Sequence, residues 1–223
     1  MIKIPLLEGF AKRENCIDLL ENLIGVIESC DPNLEGHSLN VKNLTSMLYD
    51  MLPFRYRVRL DLYQLSLAAL LLDLGKLGLP REIINKGGKL DDKEIRIMHR
   101  HPEIGARILS RVKGFRKISD WVKFHHERVD GKGYYKMKGR QIPLESRILA
   151  VADTFSALVM NRSYKSSLTY AEAISELKLV AGAQLDQEIV EYFCRIPPKK
   201  IERSLKKVQR KMDSFAYKDG DLE

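Results

Sequence analysis

The sequence contains few of the features that mark secreted, membrane-spanning or sheet-based proteins. It has only three cysteines, Cys16, Cys30 and Cys194, and their odd number and wide spacing indicate free thiols in a reducing compartment. The longest leucine-rich run, LSLAALLLDL, is too short for a membrane span and contains an acid. The N-terminus lacks the apolar segment and small-residue cleavage site of a signal peptide. These absences predict a cytoplasmic protein without a disulfide frame or a zinc knuckle.

The excess of positive charge belongs to one end of the chain. The net charge is +8, from 38 basic and 30 acidic residues. Residues 195–218 contain nine basic and two acidic residues, so the rest of the sequence is close to neutral. The high isoelectric point is therefore a property of the C-terminal region and does not indicate a basic groove on the body of the protein.

The hydrophobic pattern predicts an all-α protein. No run alternates between apolar and polar residues over the length of a strand, whereas apolar residues recur at helical spacing along most of the chain. We divide the chain into an N-terminal helical extension (1–29), a central domain (30–195) and a basic amphipathic C-terminal helix and tail (196–223). The longest irregular segment is a glycine-rich loop at 128–143. Helices before the C-terminal one are predicted at residues 12–29, 37–51, 58–74, 91–111, 115–126, 144–160, 169–181 and 186–195.

The C-terminal helix carries an apolar stripe at heptad spacing. The stripe consists of Ile201, Leu205, Val208, Met212 and Phe215. We favour packing of this stripe against the body of the protein, with the lysines in water. The alternative is a homodimer seam or a docking helix for an acidic protein partner. Nucleic acid is disfavoured as a partner because no aromatic residues alternate with the charges.

The few histidines and two of the aspartates stand in unusual places. The chain has five histidines, and they fall in the short segments GHS, HRHPEIG and HHE. Asp73 and Asp153 each lie in an apolar helical run, where an unpaired carboxylate costs several kcal/mol, so each needs a partner. Imidazole together with carboxylate suits iron, manganese or zinc, and no cysteine lies near these residues to form a thiolate site. The pattern predicts a metal centre, whereas any one histidine alone is more typical of a satisfied core residue.

The order of the motifs resembles the HD-GYP family, a branch of the HD-domain phosphohydrolases. The resemblance covers residues 30–195 and implies an HD-domain helical bundle with a glycine-rich GYP loop; the basic C-terminal helix predicted above follows this domain. It also implies hydrolysis of a cyclic dinucleotide, cyclic di-GMP above all, at a two- or three-metal site of iron or manganese, of which we expect this chain to hold one or two ions. The motifs are GHS (36–38), LDLGKLGLP (72–80), KGGKLDDKE (86–94), HRHPEIGARIL (99–109), HHERVDGKGYY (125–135), IPLESRILAVADTFSAL (142–158) and NRSYK (161–165).

The resemblance implies a metal-binding role for six residues. His37 and Asp153 match ligands of a first metal, and Asp73 matches the aspartate that bridges two metals. The ligands of the second metal match three histidines, namely His101, His125 and His126.

The resemblance also implies substrate contacts. Lys76 matches the lysine that assists the leaving oxygen or binds phosphate, and with Asp73 it is the expected catalytic pair. Arg162 and Lys165 match a basic pair that contacts substrate phosphates. Tyr134 is expected either to stack on a base or to plug the glycine-rich loop against the body. His99 stays outside the site because it lies two residues from His101 and faces another way on a helix.

Five positions depart from the family pattern. Leu72 stands where the family has the histidine of its HD pair, Tyr135 replaces the proline of GYP, and Ser156 replaces a second aspartate. Ser163 follows Arg162 where the family usually has proline, and Asn33 occupies the place of a third-metal glutamate. Because leucine cannot ligate, we expect weaker occupancy of the first metal position or a single-metal site. Three hypotheses therefore remain: a working phosphodiesterase, a degenerate member that binds a nucleotide or a protein partner, and an all-helical scaffold whose histidines are structural.

Overall fold

The computed structural model describes residues 5–29, 34–160 and 167–215. Apart from one isolated bridge between Ala181 and Leu185, the regular structure of these residues is helical, which confirms the all-α prediction. Short 3-10 helices occupy Leu74–Gly78 and Gly139–Gln141. The α-helices are α1 Pro5–Ser29, α2 His37–Met51, α3 Phe54–Arg57, α4 Leu62–Leu70, α5 Arg81–Ile84, α6 Asp92–Met98, α7 His101–Leu109, α8 Arg116–Lys123, α9 Leu144–Val159, α10 Tyr170–Val180, α11 Gln187–Phe193 and α12 Pro198–Asp213.

The core lies where α2 packs against both α4 and α9. Leu48 of α2, Leu65 of α4 and Val151 of α9 are all completely buried there. Each such side chain stabilises the folded state by about 1.5–3 kcal/mol relative to exposure. This three-helix contact fixes the ends of α2 and α9, which supply site residues, relative to the segment after α4.

Side-chain caps set several helix starts. Asp91 begins α6 by accepting the backbone N–H groups of Lys93 and Glu94, and Glu94 in turn accepts the N–H of Asp91. Thr169 caps α10 in the same reciprocal way, with Glu172 as its partner.

The predicted helix over 58–74 is wrong at both ends, since α4 runs only from Leu62 to Leu70. Gly75 lies in the 3-10 helix that follows. The structure shows why glycine is needed there. A Cβ at Gly75 would lie 1.9 Å from the carbonyl oxygen of His101 and 2.6 Å from the backbone nitrogen of Gly105. Only glycine allows α7 to approach this closely, and the approach carries His101 to Asp73.

The predicted helix over 91–111 is divided in two. α6 ends at Met98 and α7 begins at His101, with Pro102 in its first turn. Proline has no N–H to donate and is well tolerated at a helix start, which accounts for the break. His101 therefore stands at a helix N-terminus, while His99 caps the end of the preceding helix.

The C-terminal helix packs on the body of the protein. Ile201, Val208 and Met212 are buried, and α12 contacts α1 and α2. Lys211 lies 2.7 Å from Glu21 of α1, which strengthens this contact at its rim. The favoured packing of the apolar stripe is confirmed, with Leu205 and Phe215 partly buried, and a homodimer through this helix stays a prediction. The lysine-rich face of α12 remains exposed, and a partner for it stays a prediction, as does the three-part domain division.

Two further observations concern the predicted free cysteines and the predicted absence of a membrane span. Cys16 and Cys194 are free thiols, while Cys30 lies outside the described residues. Within the described ranges, no helix combines the length and the apolar character needed to cross a membrane.

Candidate metal centre

Three histidines from two helices converge on one point. His101 begins α7, while His125 and His126 follow the end of α8. One ring nitrogen from each lies within 4.8 Å of the other two, and the residues are buried or half-buried. We call these residues the three-histidine group.

The backbone orients two rings of this group. His101 donates its Nδ1–H to the carbonyl oxygen of Met98 at 2.8 Å, and His125 donates its Nδ1–H to that of Val122 at 2.6 Å. A carbonyl can only accept, so in each neutral ring Nε2 keeps an unshared electron pair. Neither Nε2 has a hydrogen-bond partner among the described residues. An orphaned, oriented imidazole nitrogen of this kind is typical of a metal ligand.

Burial keeps these imidazoles neutral. It lowers the pKa of His101 to about 4 and also lowers the pKa of His125. The pKa of His126 lies well below its usual range because of burial and then of the nearby His125. Neutral imidazoles are the form that binds metals, so the three-histidine group fits a divalent cation at neutral pH.

A second set of ligand-type side chains surrounds His37. Its Nε2 lies 2.9 Å from Oδ1 of Asp153, and its Nδ1 lies 3.0 Å from the hydroxyl oxygen of Ser156. Asp153 and Ser156 are one turn apart on α9, so one helix holds both sides of the ring. Ser156 departs from the family pattern, yet it fixes the orientation of His37 from behind.

Asp73 lies between the two sets. Its Oδ1 is 3.4 Å from Nε2 of His101, whereas its Oδ2 is 3.6 Å from Nε2 of His37 and 2.7 Å from Nζ of Lys76. Burial opposes ionisation, but Lys76 and then the imidazoles hold the pKa of this carboxyl well below its usual range. Burial also raises the pKa of Asp153, but the hydrogen bond with His37 together with the charges of His37 and His126 lowers it below its usual range. The partner that Asp73 requires is, within this structure, Lys76.

Leu72 contributes nothing to either set. Its side chain is completely buried and belongs to the apolar core. The structure therefore contains no ligand-type atom at position 72, as its sequence predicts.

Glu28 is a residue that the sequence interpretation missed. It lies near the end of α1, is 4% exposed, and accepts the N–H of Ser38 at 3.0 Å in the first turn of α2. Its second carboxylate oxygen has no partner within the described part of the chain. Burial raises the pKa of Glu28 to about 7. The signal was present, because Glu28 follows the apolar run LIGVI much as Asp73 follows its leucines.

Glu127 organises the glycine-rich loop. Its two carboxylate oxygens accept the N–H groups of Tyr135 and Met137, each at 2.6 Å. A Cβ at Gly133 would lie 2.6 Å from Cα of Glu127, so glycine permits the loop to fold back this tightly. Glu127 is the last residue of the HHE segment, and nothing in its local sequence indicates this role.

The Tyr134 ring contacts two histidine rings. Its ring stacks on exposed His99 with centroids 4.0 Å apart and planes at 23°, and its centroid lies 5.0 Å from that of His126. The prediction that His99 lies outside the ligand set agrees with the three-histidine group. Its contact with Tyr134 was not anticipated.

A cavity of about 1080 Å³ opens over these residues. Its lining brings together most of the predicted site, namely His37, Asp73, Lys76, His101, His126, Tyr134 and Asp153. His125 lies behind its neighbours and does not line the cavity. Arg162, Lys165 and Asn33 fall outside the described residues. The roles assigned to all these residues remain predictions.

Comparison with known proteins agrees with this geometry. The family model described as "HD domain" matches residues 22–189. A cyclic di-GMP phosphodiesterase of Thermotoga maritima is 38% identical over 151 residues, covering 66% of this chain and 40% of that protein. A 3'3'-cGAMP-specific phosphodiesterase of Vibrio cholerae is 35% identical over 193 residues, covering 86% of this chain and 44% of that protein.

A solved structure has the same fold. The crystal structure of a cyclic GMP-AMP-specific phosphodiesterase from V. cholerae superposes with a TM-score of 0.64 at 18% identity. The match covers 92% of this chain and 56% of that one. The present chain thus spans less than half of the length of the two curated relatives.

Proposed function

This chain belongs to the HD-domain family, as the HD-GYP resemblance of its motifs predicted, and on that premise we propose that it is a metal-dependent phosphodiesterase acting on a cyclic dinucleotide. Cyclic di-GMP is the first substrate to test, because the T. maritima relative bears that name. The related cyclic GMP-AMP comes next, from the V. cholerae relative.

One observation carries the proposal. The two oxygens of Asp73 face different imidazoles, His101 on one side and His37 on the other, at 3.4 and 3.6 Å. A carboxylate in this position suits a bridge between two cations. The three-histidine group with Asp73 would hold one ion, and His37, Asp73 and Asp153 would hold the other. We propose iron or manganese, which imidazole and carboxylate together suit.

A bound divalent ion would supply Lewis acidity, offsetting phosphate charge and lowering the pKa of a water. The chain supplies the remaining functions. Lys76 lines the cavity beside Asp73, where its ammonium can donate to a phosphate oxygen or to the leaving oxygen. Tyr134 lines the cavity, where its aromatic ring can contact a base. Arg162 and Lys165 are proposed as phosphate contacts on the strength of their motif alone.

A second candidate is a degenerate domain that binds a cyclic dinucleotide, or a protein partner, without cleaving it. The observation in its favour is Leu72, which lies in the apolar core and leaves the first metal position with three protein ligands. An acidic protein partner could use the exposed basic face of α12.

The test is an assay under reducing conditions with protein loaded with Mn(II) or Fe(II). The protein is incubated with cyclic di-GMP, cyclic GMP-AMP and cyclic di-AMP, and linear products are separated by chromatography. Asp73→Asn serves as the inactive control. Turnover by the wild type supports the phosphodiesterase, and binding without turnover supports the degenerate domain. If Leu72→His then creates turnover absent before, the natural protein is the degenerate kind. Purified protein that retains no metal would instead favour the scaffold hypothesis.

A further inference from the structure

One wall of the cavity is formed by residues that are neither metal ligands nor part of the metal centre. Residues 83–84 and 86–90, between the 3-10 helix and α6, line it together with Ile95 and Met98. The side chains of this wall are apolar or basic, and none is a metal ligand of the usual type. With about 1080 Å³ the cavity exceeds the volume of most small-molecule pockets, so a large ligand is needed to fill it.

Two adjacent glycines stand in this wall without a structural need. A Cβ built at Gly87 or at Gly88 would meet nothing within 4 Å. Neither residue is among the described glycines with positive φ, so alanine fits the backbone there. The fold therefore tolerates side chains at both positions. Bare backbone that the fold does not require, at the edge of a cavity, is suited to close approach by a ligand.

The two lysines that flank these glycines differ in their contacts. Lys86 forms an ion pair with Glu94, and Glu94 is also part of the cap of α6, so Lys86 anchors the wall to that helix. Lys89 is exposed and has no hydrogen bond or ion pair with any residue in the described part of the chain. Among the described residues, the ammonium of Lys89 is thus unpaired at the cavity. The ion pair of Lys86 with Glu94 holds the segment that carries it.

We propose that residues 83–90 bind the half of the cyclic dinucleotide that is not being cut, an inference that rests on the proposed function. Such a ligand has two phosphates and two bases, and the metal centre engages one phosphate only. The ammonium of Lys89 binds the second phosphate, and a base packs over the backbone of Gly87 and Gly88 against Ile84. This wall therefore determines specificity for a cyclic dinucleotide over a simple phosphodiester.

The experiment compares Lys89→Met with Lys93→Met. Lys93 is equally exposed and only four residues away, but it does not line the cavity. We measure Kd and turnover with cyclic di-GMP, and turnover of bis(p-nitrophenyl) phosphate, which has no second half. Loss of one ammonium–phosphate contact should raise Kd for cyclic di-GMP about tenfold. Turnover of the small ester should not change, and the control variant should match the wild type in both assays.

A Gly87→Ala/Gly88→Ala variant tests the backbone contact independently. Its thermal unfolding midpoint should be unchanged or slightly higher, because alanine restricts the unfolded chain and meets no neighbour in the folded one. Its affinity for cyclic di-GMP should nevertheless fall by a factor of about ten, as a methyl group prevents close approach.

The outcomes separate the two proposals. Unchanged affinity in both cavity variants overturns the assignment of this wall, and so does a parallel loss with the small ester, which would indicate damage to the metal centre. If the wild type binds cyclic di-GMP without cleaving it, the proposed phosphodiesterase activity is wrong. The comparison of Kd values between the variants then still tests whether residues 83–90 bind the second half of the ligand. A wild type that binds no cyclic dinucleotide overturns both.

Discussion

Placing a histidine at position 72 tests the whole account of the metal centre, because its effect on stability depends on metal. Leu72 is completely buried in the apolar core. Leu72→His forfeits about 1.5–3 kcal/mol of burial free energy. It also introduces ring nitrogens that cost about 1–3 kcal/mol if they lack partners. Without metal, we expect the variant to be less stable than the wild type by about 3–5 kcal/mol.

Metal should return part of this loss only if the new imidazole reaches the first metal position. An ion at a hundred times its Kd stabilises the folded state by about 2.7 kcal/mol. The wild type, with three protein ligands there, should gain less from the same Mn(II) concentration. The expected signature is thus a larger increase in the free energy of unfolding on adding Mn(II) for Leu72→His than for the wild type.

Urea unfolding in EDTA and in Mn(II), followed by circular dichroism, measures the two quantities. Leu70→His is the matched control, since Leu70 is 1% exposed, has the same chemistry, and lies two residues earlier in α4. It should lose as much stability in EDTA and gain no more from Mn(II) than the wild type. An equal metal response in all three proteins would refute the reasoning, because position 72 would then not adjoin a metal position.

Three further predictions concern residues around the centre. Burial raises the pKa of Glu28 from 4.5 to about 7, so its contribution to stability is complete below pH 4.5 and is lost as pH rises through 7. In EDTA, the free energy of unfolding of the wild type should fall by about 3 kcal/mol between pH 4.5 and 8 relative to that of Glu28→Gln. If urea unfolding shows the same pH dependence of stability for both proteins, this prediction is wrong. Glu127→Gln should cost about 1–3 kcal/mol, measured by the same unfolding assay, because the amide nitrogen cannot accept the N–H that the lost oxygen bound. His99→Ala should weaken cyclic dinucleotide binding by about 0.5–1.5 kcal/mol through loss of its stack on Tyr134, and His99→Phe should restore the affinity; equal loss in both variants would exclude the stack as the cause.

Local pattern predicted α2 and α9 well, whereas α1 begins at Pro5, seven residues before its predicted start at residue 12. The bounds of α2 agree with the predicted 37–51, and α9 differs from its prediction by one residue. Both helices pack a wide apolar face into the core, so periodicity and fold require the same residues to be helical. The cap formed by Thr169 and Glu172 is likewise local, because it depends only on residues three apart.

Contacts between distant segments were not predictable in this way. Gly75 reads as a helix stop in the sequence, yet its need for glycine comes from the backbone of α7, some thirty residues later. Ser156 reads as a lost acid, yet it holds His37, which is 119 residues away. Composition and spacing give the identity of each residue and its neighbours along the chain. The roles of Gly75 and Ser156 instead depend on which distant segments the folded core brings together.

The two sets of ligands should not fill with metal equally. In the three-histidine group, Nε2 of His101 and of His125 have no partner among the described residues, so an ion there displaces no internal hydrogen bond. At the other set, Nε2 of His37 is already 2.9 Å from Asp153, and an ion must replace that contact.

Leu72 adds to this difference because it leaves the His37 set with one ligand fewer. An ion there therefore forms fewer bonds to the protein and must also displace the contact between His37 and Asp153. We therefore expect titration of metal-free protein with Mn(II), followed by calorimetry, to give one tight site and one weak site. His125→Ala should abolish the tight site, whereas Ser156→Ala should weaken only the other one by freeing the ring of His37. Two sites of equal affinity, or loss of the tight site in Ser156→Ala, would show that the free imidazole nitrogens do not decide the order of binding.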